Sequence, residues 1–359
     1  MEYTYAAPLQ PGDTIAVVAP SSTLAGADVT KGLVFLRSLG YELKIGKSVS
    51  AFDGYLAGPD RLRAADINDA FADDTVKAIV CLRGGYGATR ILPLLDYDLI
   101  AAHPKLFVGF SDITALHTAF LQRCGFCPIH GTMVMSLGRD ASEYTKEQFA
   151  YGLQHPYEAR ELPLPPDCSP KTLVPVPSRV LVGGNMMLLS VLMGTPYAID
   201  PPAGAILCLE EVGEDAYALD RMLCQFEEAG LIDRVRAIAF GEFYHCGPDE
   251  KAPYEWTVKE VLRLMPRNGA SRCHGPAFRP RCRQRLAAPG AEGRPRSPAG
   301  RRALYFTVIW IGEDSMEYKE LKDQACHYVD ELKPVIYGIA DALHDHPETG
   351  MNESSLRRR

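Results

Sequence analysis

The sequence has no apolar run near the roughly 18 uninterrupted residues of a membrane span, which excludes a simple transmembrane helix. Met1–Gln10 lacks a basic region followed by an apolar core, so no signal peptide is expected. Ten cysteines are scattered rather than framed, which favours a reduced, cytoplasmic setting over a disulfide scaffold. Cys124-Gly125-Phe126-Cys127 is a CxxC without a second pair at zinc spacing, so neither a metal site nor a redox pair is expected from it. There is no excess of positive charge. The formal net charge of -7 gives no global pull toward nucleic acid or anionic membrane. No GxGxxG fingerprint opens the chain. What is present is 359 residues, 47% hydrophobic and 23% charged, enough for two domains with substantial cores.

Taken in order, apolar β-rich runs alternate with helical spacing. Asp13–Ala19, Tyr41–Ile45, Ala78–Leu82 and Leu106–Phe110 read as strands. Residues 25–39, Asp60–Phe71, a segment from Ala88, and Asp112–Arg123 read as helices. Such alternation predicts parallel βαβ units with buried strands. A proline-crowded stretch, 148–178, reads as an interdomain linker. Leu181-Val182-Gly183-Gly184-Asn185 opens a second unit, with strands at Ala205–Leu209 and Arg236–Gly241 and helices at Met186–Met193 and Asp220–Ala229. The methionines at the start of that unit read as core.

Ligands in parallel sheets collect at the carboxyl ends of strands. Two notable loops lie there: Arg83-Gly84-Gly85-Tyr86-Gly87 after the third strand and Gly109-Phe110-Ser111-Asp112 after the fourth. Ser111 sits on a strand-to-helix corner. There it can serve as a helix cap or as an exposed nucleophile whose following amide, that of Asp112, faces a developing oxyanion. The glycines let backbone amides approach a substrate, a second oxyanion donor, or they satisfy a tight turn. Glu210, Glu211 and Glu214 cluster where a strand ends. They read as a solvated acidic loop, or as the place for an acid that orients a histidine.

Together Arg83–Gly87, Gly109–Asp112, Gly183-Gly184-Asn185 with Gly194-Thr195-Pro196, and Leu209–Val212 with Asp220–Leu223 resemble the LD-carboxypeptidases. These are serine peptidases of the S66 type that include the microcin-C self-immunity peptidases. The likeness covers residues 10–265. It implies an N-terminal Rossmann/flavodoxin-like parallel-sheet domain and a C-terminal mixed, β-rich α/β domain. It also implies a Ser-Glu-His triad split between the two, with Ser111 as nucleophile, Glu210 as the orienting acid, and the amides of Gly85 and Asp112 as oxyanion hole. The implied substrate is a small peptide, a cytoplasmic murein tetrapeptide losing its terminal D-alanine, with an acyl conjugate like microcin C as the alternative. No metal or organic cofactor, no nucleic acid and no membrane is called for, and a homodimer is implied.

The resemblance fails where the triad histidine belongs, in a segment resembling Gly-x-x-x-Gly-His followed by Leu-Pro-x-Gly. From Arg267 to Arg302 the chain carries ten arginines, no lysine and a single acid, Glu292. A basic arm for nucleic acid is one reading. A shifted reading frame is the preferred one. Permitted codons for His274–Glu292, read one nucleotide later, spell Met-Gly-Leu-Pro-Phe-Gly-His-Val-Ala-Asp-Asn-Val-Ser-Leu-Pro-Leu-Gly-Leu. That contains the missing motif. From Met316 the chain resembles the start of an M20-type amidohydrolase, as a run-on into a neighbouring gene would produce. The expected divisions are therefore 1–147 (nucleophile-bearing), 148–178 (linker), 179–265 (second domain, incomplete), 266–315 (aberrant) and 316–359 (helical tail). His344 and His346 alone do not make a metal site. Of the nine histidines, His245 is the best placed to substitute, His274 lies just before the altered region, and neither matches the family motif; His117 is expected to be packed or on the surface. Impaired catalysis, or a murein-peptide binding protein without turnover, is the resulting expectation.

Overall fold

A computed structural model of the chain describes residues 3–139, 141–157, 181–247, 255–263 and 307–310, all within one compact unit. The arginine-rich segment Arg267–Arg302 and the tail expected from Met316 lie outside the described residues, and between them one strand, Thr307–Trp310, is described.

The N-terminal part is a five-stranded parallel sheet in the order β2-β1-β3-β4-β5. The strands are β1 (Thr14–Val18), β2 (Glu42–Ile45), β3 (Val76–Cys81), β4 (Leu106–Gly109) and β5 (Ile129–His130). This is the flavodoxin-like order, whose direction reverses between β1 and β3 and opens a crevice at their carboxyl ends. β1, β3 and β4 are buried almost throughout because helices cover both faces, so they read as continuous apolar runs and not as alternation. On one face the rings of Phe71, Phe107, Phe120 and Phe126 interlock. The Phe107 and Phe120 rings meet edge to face at 4.9 Å, and those of Phe120 and Phe126 stack at 5.4 Å.

The second sheet runs β6-β7-β8-β9: β6 (Leu181–Asn185), β7 (Ile206–Val212), β8 (Ala237–Tyr244) and β9 (Thr307–Trp310). The first three are parallel and β9 is antiparallel, which makes the sheet mixed, as expected for this part of the chain. Several boundaries differ from the periodicity. The first helix spans Thr30–Ser38 and does not begin at 25, because Ala25 and Gly26 take left-handed turn conformations. The helix after β7 starts at Ala216 and β8 runs on to Tyr244. β5 and the helices Val134–Arg139 and Glu143–Gln154 had no strong sequence signal, and the last carries helix into the proline-crowded stretch as far as 154. Among the described residues no helix is long and apolar enough to cross a membrane.

The helix Thr114–Arg123 joins the two sheets. Every residue from Thr114 to Leu121 is buried, so the helix has no solvent face along that length. The Thr114 hydroxyl accepts a hydrogen bond from the Asn185 amide of β6 at 3.0 Å. Gly184, at φ +139°, leaves no space beside it: an added Cβ would stand 2.6 Å from the Thr114 hydroxyl and 3.3 Å from His130 Nδ1. At the far end Gln122 donates to the Asp200 carbonyl at 3.1 Å, and the Arg123 guanidinium lies over the rings of Tyr97 and Tyr197.

His117 of this helix and His130 of β5 face each other with ring centroids 6.2 Å apart. His117 Nε2 and both His130 nitrogens are shut off from solvent and have no protein hydrogen-bond partner. Burial holds the His117 imidazole well below its ordinary range, with the neighbouring His130 adding to the effect, and pushes His130 down to about 4. A folded-state pKa below the unfolded value near 6.5 gives stability that is present above pH 6.5 and lost as pH falls toward 4. His130 alone can contribute on the order of 3 kcal/mol to that loss. The unfolding midpoint should therefore fall between pH 6.5 and 4.5. His117→Phe should flatten the profile, and an unchanged slope would contradict the assignment.

Candidate active site

Ser111 follows β4 with φ +61°, a left-handed backbone that is uncommon for serine. It opens a short 3₁₀ turn, Ser111–Ile113, that feeds the helix Thr114–Arg123, and its hydroxyl makes no capping hydrogen bond to either. The cap reading therefore has no support in the geometry. Gly109 permits the turn, since an added Cβ would stand 2.7 Å from the Ile113 side chain.

The glycine loop after β3 comes against this corner. A Cβ on Gly84 would lie 3.0 Å from both Cβ and Oγ of Ser111 and 3.5 Å from the Asp112 amide nitrogen. A substituent there would occupy the space beside the hydroxyl, so the glycine keeps the approach to Ser111 open. Gly85, at φ +117°, follows directly and packs on Ser22 of the loop after β1. Ser22 Oγ accepts from the Tyr86 amide at 3.0 Å. Arg83 donates to the Thr23 carbonyl at 3.0 Å.

Asp112 is 1% exposed. Its Oδ2 accepts from Ser21 Oγ at 2.6 Å and from the Ala88 amide at 2.8 Å. Burial raises its pKa, opposed by those two hydrogen bonds and by the charge of Arg63. Oδ2 is thus committed to holding loops.

Across the junction, Glu210 and Glu211 are adjacent, buried residues of β7. Glu211 is saturated. Its Oε1 accepts from Asn185 Nδ2 and the Val212 amide at 2.8 Å each, and its Oε2 accepts from the Met187 amide at 2.7 Å. Burial nevertheless raises its pKa. It therefore pins the start of the helix Met186–Leu192, whose N-cap is Asn185. Glu210 pairs in register with Asn185, the residue whose amide donates to Thr114, three positions beyond Ser111. Both glutamates are thus buried and not part of a solvated loop. Glu214 lies beyond β7, where its carbonyl accepts from the Gly247 amide at 2.9 Å.

His245, exposed at the end of β8, has its ring on Tyr244 at 4.0 Å and a φ of +51°. His274, His327, His344 and His346 lie outside the described residues. Burial pushes the Cys124 thiol up to about 12 and raises that of Cys127, so neither is a ready thiolate, and both are free. Among the described residues no group of three or more His, Cys, Asp or Glu is arranged to hold a metal ion. Sequence reading missed the Asp112 carboxylate, Ser21 and Arg63 as parts of this corner. Arg63 lies among other charged residues of Asp60–Asp66 and Ser21 in a polar turn, so nothing local singles them out.

Residues 15–131 match the family model described as the LD-carboxypeptidase N-terminal domain, and residues 179–278 match its C-terminal domain. The chain is 39% identical to the probable murein peptide carboxypeptidase of Bacillus subtilis over 71% of its own length and 79% of that protein's. It is 36% identical to the murein tetrapeptide carboxypeptidase of Pseudomonas aeruginosa, over 66% and 79%. The solved apo structure of the wild-type microcin C7 self-immunity protein MccF superposes with a TM-score of 0.63 at 26% identity, covering 72% of this chain and 85% of that one.

Substitutions at Ser111 and Glu211 test the roles read from this geometry. At an ordinary position alanine is more stable than glycine, whereas at φ +61° the order should reverse. Ser111→Gly should exceed Ser111→Ala in stability by up to about 1 kcal/mol in urea unfolding. Glu211→Gln places an amide NH₂ or a weaker acceptor against three donors, and should cost about 1–3 kcal/mol.

Proposed function

The chain belongs to the LD-carboxypeptidase family of serine peptidases, and on that premise we propose that its site is built to release the terminal D-alanine of murein tetrapeptides through an acyl-enzyme, with this chain impaired for lack of its histidine. The observation that carries the proposal is Ser111 held at φ +61° with Gly84 against its side chain at the carboxyl ends of β3 and β4. In the proposed reaction Ser111 Oγ attacks the scissile carbonyl. The amides of Gly85 and Asp112 receive the developing oxyanion. A histidine oriented by Glu210 takes the serine proton and returns it to the departing D-alanine amine, and water then hydrolyses the ester. No step calls for a metal or an organic cofactor. The identity to relatives named for murein peptides (36–39%) is higher than that to MccF (28%), which supports the peptide over the acyl-conjugate reading. The proposed setting is the cytoplasm and the proposed assembly a homodimer.

The proton acceptor is the missing part. The family match ends at residue 278, inside the arginine-rich segment. We attribute the loss to the shifted frame described above. Triad members act as a unit, so a chain without the base should turn over at least about 10³-fold more slowly than an intact family member. For the same reason Ser111→Ala should lower the remaining rate only slightly. Release of D-alanine from a murein tetrapeptide, followed by an amino-acid assay, checks both statements. A normal rate abolished by Ser111→Ala would refute the impairment. Nucleotide sequence across codons 260–320 tests the frame, and an uninterrupted coding pattern would exclude the shift. A version of the gene with the frame corrected should regain activity.

A further inference from the structure

We infer that Arg63 is a positioning residue for the oxyanion side of the site: its buried guanidinium locks the glycine loop after β3 to the loop after β1, and so sets where the Gly85 amide stands relative to Ser111. This rests on the peptidase reading proposed above.

Arg63 lies on the helix Asp60–Ala72, and its side chain is 0% exposed. A guanidinium out of water is costly unless its donors are used. Here they are spent mainly on backbone carbonyls. Nε donates to the Gly58 carbonyl at 3.1 Å. Nη1 donates both to the Pro20 carbonyl and, at 2.9 Å, to that of Gly87. Nη2 pairs with Asp60, which also holds Arg90 in a bidentate contact. Pro20 belongs to the loop after β1, and Gly87 closes the glycine loop. A Cβ on Gly87 would lie 2.9 Å from Nη1, so only glycine allows this approach.

Asp112 completes the arrangement with the opposite polarity. Its carboxylate takes the Ser21 hydroxyl and the Ala88 amide, the neighbours of Pro20 and Gly87, whose carbonyls Arg63 Nη1 takes. A cation on two acceptors and an anion on the two adjoining donors clamp the same pair of loops. Arg63 and Asp112 thus fix the Gly87–Ala88 end of the loop, with the Ser22 hydroxyl taking the Tyr86 amide just before it, while Arg83 fixes its start. Gly84 and Gly85 span the arc between. Neither carries a side chain that could anchor it in the core, so polar clamps decide where their backbone stands. Lysine could keep the charge but not the two-carbonyl fork.

The test compares wild type with Arg63→Met and Arg63→Lys. Calorimetric titration would use a D-alanine-terminated tetrapeptide and its phosphinate analogue, whose tetrahedral oxygen occupies the oxyanion position. Amide hydrogen exchange of residues 20–24 and 84–88 is read in parallel. Arg63→Met should lower the preference for analogue over peptide at least about tenfold, with peptide affinity within about threefold of wild type. Exchange should rise in those two loops and not in β6–β8. Arg63→Lys should fall between. If Arg63→Met does not fold, Asp60→Asn, which releases one side of the guanidinium, should shift both readouts in the same direction by less. An unchanged analogue preference, peptide and analogue weakened equally, or unchanged loop exchange would each overturn the inference. Failure of wild type to bind either compound would instead refute the peptidase reading, and the exchange data would still decide on the clamp.

Discussion

The left-handed backbone at Ser111 is the constraint around which the surrounding structure is arranged. A serine held there loses on the order of 1 kcal/mol against an ordinary conformation, so the neighbours must over-determine the turn. Gly109 makes room for Ile113 on one side, and Gly84 makes room for the hydroxyl on the other. The Asp112 carboxylate ties the turn to the loops after β1 and β3. Strain at one residue is thereby matched by hydrogen bonds from two separate segments, which is why a single half-buried serine comes with so much buried polarity.

The second constraint is the close passage of β6 over the helix that Ser111 begins. Gly184 has no side chain because Thr114 and His130 occupy that space. Asn185 uses its backbone amide on Thr114, its side-chain oxygen on the Leu188 amide and its side-chain nitrogen on Glu211. The junction therefore relates β7 to Ser111 through directional bonds and not through apolar contact alone. Glu211 is consumed in making it, and its neighbour Glu210 is the carboxylate that β7 carries opposite Asn185 in register.

Much of this was legible in the order of residues. The apolar runs of β1, β3, β4 and β7 were readable because buried parallel strands need continuous hydrophobicity. Ser111 and the glycine loop could be named because both fall just after such runs. The short β5, two residues long, was not readable, nor were the helices at 134–139 and 143–154, which carry little periodicity. The buried pair His117 and His130 was hidden for a different reason. The two residues are 13 positions apart on unlike elements and meet only because β5 pairs with β4 beside the helix.

By itself the sequence determined the parallel α/β plan, the nucleophile-bearing corner, and the abrupt change of composition after residue 266, because periodicity, local turn chemistry and charge balance are properties of neighbouring residues. Only the tertiary structure decided how the remaining polar residues are used. Glu210 and Glu211 are adjacent and identical in kind, and only the bonds to Asn185, Met187 and Val212 assign Glu211 to the helix start. Arg63 and Asp112 stand 49 residues apart, and only the flavodoxin-like strand order brings them to the same two loops. The physical reason is the same in both cases: the role of a buried charge is set by the partners that repay its desolvation, and those partners come from distant parts of the chain.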